Sequence, residues 1–223
     1  MKTLIIGDVH EKYNALLALE DNMEQADRVV LLGDFWDTFF PEGKQGLIAT
    51  WLLGKLYDPK YTVLWGNHDC HYAFDHQMFL CSGYNPVTKH LLKKEMPENA
   101  WRKFKIFTKV GPFTVSHAGF HPLTVGLMEE VDEAVDEAFK GKFHNMWMPG
   151  HASGGPAIVG GPTWLRWWEL EDTGFLQIVG HTQIKQATKD KLGNWNLDTG
   201  LREVAWVDEE TGKVTIENAY GIQ

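Results

Sequence analysis

The chain has 223 residues, and its 21 Lys and Arg stand against 30 Asp and Glu, which gives a formal net charge of −9 at pH 7. This charge argues against a long nucleic acid as partner, because binding a polyanion needs a basic face. Small phosphate groups remain possible ligands, since bound metal ions can supply positive charge. No apolar stretch approaches the ~20 residues needed to cross a membrane, so no membrane partner is expected.

The chain length predicts a single domain over residues 1–223. The first apolar run, residues 3–6, is too short for a signal peptide, and a cytoplasmic location is therefore expected. Two cysteines, Cys70 and Cys81, argue against a disulfide framework and suit a reducing compartment. We interpret Cys70 as a small packing residue rather than a metal ligand.

The first third of the chain alternates between predicted strands and helices. Runs of β-forming residues cover 3–6, 29–32 and 61–65, and helices are predicted over 13–23 and 46–57. This alternation is typical of the α/β class, with parallel strands joined by right-handed crossovers.

Each of these three strands stops at a short motif that carries acid, amide or histidine groups. The motifs read Gly7-Asp8-Val9-His10, Gly33-Asp34-Phe35-Trp36-Asp37 and Gly66-Asn67-His68-Asp69. Because the carboxyl ends of parallel strands meet at one edge of a sheet, the three motifs are expected to share one crevice.

The middle of the chain has a different pattern. Residues 71–99 are predicted to be irregular and partly helical, and residues 104–116 to form a hairpin around Gly111-Pro112. The hairpin leads directly into His117. A helix is predicted from Thr124, as its N-cap, to Gly141.

The last third contains a glycine-rich segment, residues 149–162, which has little to bury and is predicted to be a flexible loop. A helix over 163–170 and a strand over 175–179 are predicted next. The strand ends at Gly180-His181-Thr182. Residues 185–220 are predicted to form hairpins, with a turn at 209–212.

Together the motifs supply the ligand set of a two-metal hydrolase. Asp8 and His10, two residues apart, can address one cation, and the carboxylate of Asp34 can bridge two cations held ~3.5–4 Å apart. The predicted ligands of the second cation are Asn67, His117 and His181. Mixed oxygen and nitrogen ligation without a thiolate favours two divalent transition-metal ions, Mn²⁺ first, with Fe, Zn or Ni as alternatives.

His68 and Asp37 are predicted to perform proton chemistry beside the metals. A protonated His68 can donate to the leaving oxygen, and Asp37 can keep its imidazole charged and oriented. The alternative is structural, with Asp37 capping a turn and His68 bonding to the backbone.

With these residues the chain resembles the calcineurin-like metallophosphoesterase superfamily. Within it, three later motifs are similar to the bacteriophage-type serine/threonine protein phosphatases and the symmetrical dinucleoside-tetraphosphate hydrolases: Ser116-His117-Ala118-Gly119, Gly180-His181-Thr182 and Leu197-Asp198-Thr199-Gly200. The resemblance implies a β-sandwich of two mixed sheets flanked by helices. It also implies that a metal-bridging hydroxide attacks phosphorus in line.

The chain departs from the protein phosphatases at three places, where Glu11, Thr38 and Trp65 stand instead of a glycine and two arginines. Gln183 replaces a histidine of many phosphodiesterases. Arg166, which follows a tryptophan as a family arginine does, is the candidate phosphate clamp, and Asn67 is a second candidate for substrate binding. The alternative for Arg166 is a surface or core-capping role.

Tryptophans flank these motifs and the glycine-rich segment. They are interpreted either as core residues or as platforms that stack on a nucleobase. The six residues concerned are Trp36, Trp65, Trp147, Trp164, Trp167 and Trp168.

The sequence therefore predicts a binuclear metal-dependent phosphoesterase, acting as a phosphomonoesterase on a phosphoprotein or on a small phosphate ester or nucleotide. A hydrolase of nucleotides or dinucleoside polyphosphates is the alternative enzyme. A metal-free scaffold on the same fold is the non-enzymatic alternative.

Overall fold

The computed structural model describes residues 1–38 and 43–219. The strands in this part of the chain are β1 (Lys2–Ile6), β2 (Arg28–Leu31), β3 (Tyr61–Val63), β4 (Phe107–Val110), β5 (Phe113–Ser116), β6 (Leu176–Val179), β7 (Thr188–Lys189), β8 (Trp195–Asn196), β9 (Glu203–Asp208) and β10 (Val214–Asn218). The α-helices are α1 (Tyr13–Ala18), α2 (Glu20–Gln25), α3 (Gln45–Leu56), α4 (Asn67–Ala73), α5 (Pro86–Glu95), α6 (Glu98–Trp101) and α7 (Val131–Phe139).

The strands form two mixed sheets. In the first sheet the order is β10-β9-β1-β2-β3, with β1, β2 and β3 parallel and β9 antiparallel to β1. In the second sheet the order is β4-β5-β6-β8-β7, with β5, β6 and β8 parallel and a hairpin at each end. The parallel crossovers expected for the first third of the chain are confirmed, as are the hairpins at β4–β5 and over the C-terminal region.

Alternate side chains of the central strands are buried on opposite faces. Ile5 and Val30 pack with Ile178 in the apolar layer between the two sheets. Leu4 and Leu31 lie in the second, larger core, which the helices cover. A strand buried on both faces must be apolar at every position, which explains the continuous hydrophobic runs of β1 and β2.

The helix expected over residues 13–23 is divided at Leu19. The buried Leu19 has φ −92° and ψ 0°, and its N–H bonds back to Leu16 as in a 3₁₀ turn, so α1 ends and α2 begins there. Residues 71–99 include α5, whose start is defined by Pro86 in its first turn and by the side chain of Asn85, which accepts a hydrogen bond from Val87 N–H.

Two helix predictions need correction. Residues Val125–Glu130 form 3₁₀ turns before α7, and the Thr124 hydroxyl bonds to the His121 carbonyl instead of capping the helix. The helix expected over 163–170 is reduced to one 3₁₀ turn at Trp167–Glu169. There the N–H of Trp167 donates to the Thr182 hydroxyl, so a tertiary contact replaces the bond that a helix would need.

Within residues 1–38 and 43–219, none of the helices has the length and apolar character required to span a bilayer.

Candidate metal centre

Five strands deliver the predicted ligands to one place. Asp8, Asp34 and Asn67 follow β1, β2 and β3 of the first sheet, and His117 and His181 follow β5 and β6 of the second. All five strands end at the same edge of the sandwich, so residues more than 170 positions apart in sequence become neighbours: the N–H of His181 donates to Asp8 Oδ2 at 3.0 Å.

The backbone at this edge is held in an unusual conformation. His10, Asp34, Asp37 and His181 have φ values of 45°, 50°, 69° and 63°, in the left-handed region that few residues other than glycine adopt. Such conformations persist where the surrounding structure enforces them, and they concentrate at functional sites.

Two motif glycines are required by close approach of the carboxylates. A Cβ atom on Gly66 would lie 2.1 Å from Asp34 Oδ1, and one on Gly180 would lie 2.1 Å from Asp8 Oδ1. Their absence lets the following backbone reach the acids, and the N–H of His68 donates to Asp34 Oδ1 at 2.9 Å. The remaining oxygen of Asp34, Oδ2, stays available for other partners.

Asp8, His10 and Asp34 form the first of two ligand clusters. The imidazole of His10 lies with Nδ1 2.7 Å from the Asp37 carbonyl, to which it donates. This tautomer leaves the lone pair on Nε2, which lies 4.0 Å from Asp8 Oδ2 and 3.7 Å from Asp34 Oδ2.

Asp34, His117 and His181 form the second cluster. His117 donates from Nδ1 to the Leu32 carbonyl at 2.8 Å, so Nε2 is the nitrogen that faces the cluster and can bind a cation once it is deprotonated. That Nε2 atom lies 3.4 Å from Asp34 Oδ2, 3.2 Å from His181 Nδ1 and 3.2 Å from Asn67 Oδ1. Asp34 is therefore shared by both clusters.

The centre concentrates buried negative charge. Asp8, Asp34 and Asp198 are at most 3% exposed. Burial, reinforced by Asp198, raises the pKa of Asp8 well above its ordinary value. Burial opposes a charge on His117, but Asp34 and Asp8 outweigh it and raise the pKa of His117 to about 9. The site thus attracts positive charge.

These residues fit divalent cations. Both clusters combine carboxylate oxygens with imidazole nitrogens, a donor set suited to first-row transition metals. Within the described part of the chain, the buried Oδ1 of Asp198 and the buried Nε2 of His181 have no hydrogen-bond partner. Such atoms are costly to bury unless a ligand or cation compensates them.

Asp37 and His68 lie beside the clusters as a hydrogen-bonded pair, with Asp37 Oδ2 3.0 Å from His68 Nδ1. Tyr72 donates its hydroxyl to the other oxygen of Asp37. Burial disfavours the charged imidazole, but Asp34 and Asp37 outweigh it and raise the pKa of His68 well above its ordinary value. The geometry required for an oriented, protonated histidine is therefore present.

Arg166 lies close enough to the second cluster to influence it electrostatically. Burial, followed by the charges of His117 and Arg166 among others, lowers the pKa of His181 well below its ordinary value. The Nε atom of Arg166 is buried and has no hydrogen-bond partner among residues 1–38 and 43–219. A donor of this kind can bind an anionic ligand by donating a hydrogen bond to it.

Four of the six tryptophans named above fall into two groups. Trp36, Trp65 and Trp147 are at most 1% exposed and pack in an aromatic core, so they cannot stack on a bound base. Trp164 is half-buried, and its ring lies edge to face with His181 at a centroid distance of 5.8 Å. Its position beside the second cluster would allow it to contact a ligand bound there.

Sequence reasoning gave no role to several residues around the centre. Asp198 follows β8 as Asp34 follows β2, and this strand-then-acid pattern was the signal for it. Asp69 accepts hydrogen bonds from the N–H groups of Asp34, Phe35 and Gly66 and so joins the second and third motifs. The partners of Asp37, namely His71 and Tyr72, carry no pattern that identifies them.

Comparison with known proteins agrees with this architecture. A family model described as calcineurin-like phosphoesterase matches residues 1–203. Among the solved structures that share the fold is a cold-active protein-tyrosine phosphatase of a psychrophilic Shewanella species, with a TM-score of 0.67 and 16% identity over 99% of this chain and 78% of that one. Another is a metallophosphoesterase from Sphaerobacter thermophilus, with a TM-score of 0.51 and 16% identity over 98% of this chain and 88% of that one. No curated protein sequence matches significantly. The expected sandwich of two mixed sheets is thus confirmed, and the chain belongs to the calcineurin-like phosphoesterase family as a metal-dependent phosphoric ester hydrolase.

Proposed function

We propose that the chain is a binuclear phosphomonoesterase of the protein-phosphatase-like kind. The observation that carries the proposal is the shared carboxylate of Asp34, whose Oδ2 lies 3.7 Å from His10 Nε2 and 3.4 Å from His117 Nε2. A single acid placed between two donor sets is what a pair of bridged cations requires.

In this proposal one cation is held by Asp8, His10 and Asp34, and the other by Asp34, Asn67, His117 and His181. When bound, the two cations activate the attacking water and neutralise charge on the phosphoryl oxygens. Manganese is the proposed metal, with iron, zinc or nickel as alternatives, because the donors are mixed oxygen and nitrogen without a thiolate.

The chain's own side chains perform the remaining tasks. His68 donates a proton to the leaving oxygen, and Asp37 keeps the imidazole protonated and oriented through the contact at Nδ1. Arg166 binds the phosphoryl oxygens with its guanidinium group, whose Nε is buried without a protein partner in the described part of the chain. Asn67, in the third motif, also contacts the substrate.

A hydrolase of nucleotides or dinucleoside polyphosphates is the second candidate. Trp164 favours it, because a half-buried indole beside His181 can contact a base attached to the reacting phosphate. Thr38 and Trp65 also stand where protein phosphatases carry arginines. A preference for phosphoproteins would therefore lack two of its usual determinants.

The manganese-loaded protein should be tested on phosphopeptides, nucleoside monophosphates, dinucleoside polyphosphates and a phosphodiester, at equal concentrations. The proposal expects the highest kcat/KM on a phosphomonoester. Asp34→Asn, prepared in parallel, identifies any contaminating phosphatase, since its activity should disappear. Turnover confined to dinucleoside polyphosphates would establish the second candidate instead.

A further inference from the structure

A third group of metal-binding side chains lies on the side of His68 that carries Nδ1. The ligand atoms of His68, His71 and Cys81 all lie within 4.8 Å of one another. The Cys81 sulfur is 3.3 Å from His71 Nδ1 and 3.8 Å from His68 Nδ1. This group shares no residue with the two clusters of the candidate metal centre.

The donor set of this group differs from that of the centre. Two imidazole nitrogens and one thiolate sulfur are the ligands that Zn²⁺ prefers, whereas the clusters around Asp34 offer oxygen and nitrogen only. Three protein ligands also leave one tetrahedral position for water. The chemistry therefore favours zinc here and disfavours the harder manganese ion.

The ring of His71 is already oriented for ligation. Its Nε2 lies 2.7 Å from Asp37 Oδ2, and its Nδ1 faces the Cys81 sulfur. A ligating histidine usually donates its second N–H to a carboxylate, which fixes the tautomer and strengthens the ligand. Asp37 is the carboxylate within reach of His71 Nε2, at an ion-pair distance rather than in a formed hydrogen bond. Cys81 is half-buried and so remains within reach of an entering ion.

We propose that His68, His71 and Cys81 form an inhibitory zinc site, separate from the catalytic pair, which acts by binding His68. Zinc replaces the Nδ1 proton of His68 and the thiol proton of Cys81, both of which leave to solvent, and its bond to Nδ1 ends the contact of that nitrogen with Asp37. The imidazole is then no longer an imidazolium ion of suitable acidity, so it cannot protonate the leaving oxygen. The inhibition rests on the proposed role of His68, whereas the binding does not.

Binding can be tested without any substrate, by adding Co²⁺ to the manganese-loaded protein as a spectroscopic substitute for zinc. Thiolate ligation to cobalt produces charge-transfer absorption in the near ultraviolet, which ligands of the centre cannot produce because they lack sulfur. The band is expected in the wild type and absent in both Cys81→Ser and Cys81→Ala. The matched control is Cys70→Ser, in which the other thiol, buried and bonded to the Gly66 carbonyl, is replaced and the band should remain.

Inhibition is then measured as the Zn²⁺ concentration that halves activity at a fixed excess of Mn²⁺. Replacing one of three ligands should raise this concentration at least about tenfold in Cys81→Ser and leave it unchanged in Cys70→Ser. Equal inhibition of wild type and Cys81→Ser would mean that zinc acts at the catalytic pair, and would overturn the regulatory claim.

A wild-type protein without the cobalt band, or a Cys81 variant that keeps it, would overturn the site itself. Since the cobalt measurement needs no turnover, a failed phosphomonoesterase assay would leave it interpretable. The two proposals can therefore fail separately.

Discussion

Asp37 lies between two histidines and orients both: its carboxylate is 3.0 Å from Nδ1 of His68, and its backbone carbonyl accepts a hydrogen bond from His10 at 2.7 Å. The left-handed backbone of Asp37, with φ 69°, allows both groups of one residue to serve these partners. The second motif therefore connects the first ligand cluster to the proposed proton donor.

The bridging role of Asp34 predicts a linked loss of metal and activity. In Asp34→Asn the shared carboxylate becomes an amide, so we expect at least one of two bound ions to be lost. We also expect kcat to fall more than about 100-fold, which exceeds the loss of activity caused by substitutions that only support the ligands. Elemental analysis after gel filtration measures the metal content. Asp21→Asn, on the exposed surface of α2, is the control and should keep both ions. Full activity of the wild type with one ion or none, after exhaustive chelation, would contradict the two-metal proposal.

The proton-donor role of His68 predicts an effect that depends on the leaving group. His68→Ala should slow alkyl phosphates by roughly 10²- to 10⁴-fold, but slow p-nitrophenyl phosphate much less, because a phenolate of low pKa leaves without a proton. Rates are measured for a series of esters that spans leaving-group pKa, and metal content should stay normal. An equal loss across the series would show that His68 orients the phosphate rather than protonating the product.

The contact between Asp37 and His68 predicts a change in the pH profile. The pKa of His68 is raised well above its ordinary value, with burial opposing and Asp34 and Asp37 favouring the charged ring. A general acid must be protonated, so kcat should fall as pH rises through the pKa of His68. Asp37→Asn removes one of the favourable charges and should move this alkaline limb to lower pH, with the metals retained. If the alkaline limb does not move, a group other than His68 is responsible for it.

Arg166 is predicted to bind phosphate. In Arg166→Ala the inhibition constant for inorganic phosphate and the Michaelis constant should both rise, roughly 10- to 100-fold, because a charge-assisted hydrogen bond is lost. Arg166→Lys keeps the charge but not the bidentate geometry and should be intermediate. Arg102→Ala, an exposed arginine paired with Glu98 and Asp136, is the control that should change neither constant. Unaltered phosphate inhibition in Arg166→Ala would leave this arginine a structural role.

The flexibility of the glycine-rich segment remains a prediction. Between Gly150 and Gly160, which are packed closely against neighbouring backbone, several residues including Pro156 and Ile158 are exposed. Hydrogen exchange over residues 150–161 should be fast in the free protein and slower when a phosphate analogue binds. Peptides from β5 give the control, because that buried strand should exchange slowly in both states. Uniformly slow exchange of residues 150–161 without ligand would identify an ordered structural loop.

Secondary structure was predictable where local pattern and burial agree. The three strands before Asp8, Asp34 and Asn67 are apolar at nearly every position, and such runs need no distant partner to be recognised. The helix expected over 163–170 failed for the opposite reason. Its apolar residues are compatible with a helix, but the hydrogen bond from the N–H of Trp167 to the Thr182 hydroxyl draws the backbone into a different path.

The sequence by itself determined which chemical groups meet at the edge of the sheets, because a buried strand that ends in Gly-Asp, Gly-Asn or Gly-His places its next side chain at that edge. Only the tertiary structure decided what each atom does there. The tautomer of His117 depends on the carbonyl of Leu32, 85 positions away in the chain. Likewise, the grouping of Cys81 with His68 and His71 depends on how the chain returns after α4. Contacts of this kind join residues that are far apart in the chain, and the local sequence around one residue does not indicate its partner. Such contacts are therefore established only by the packing of the folded chain.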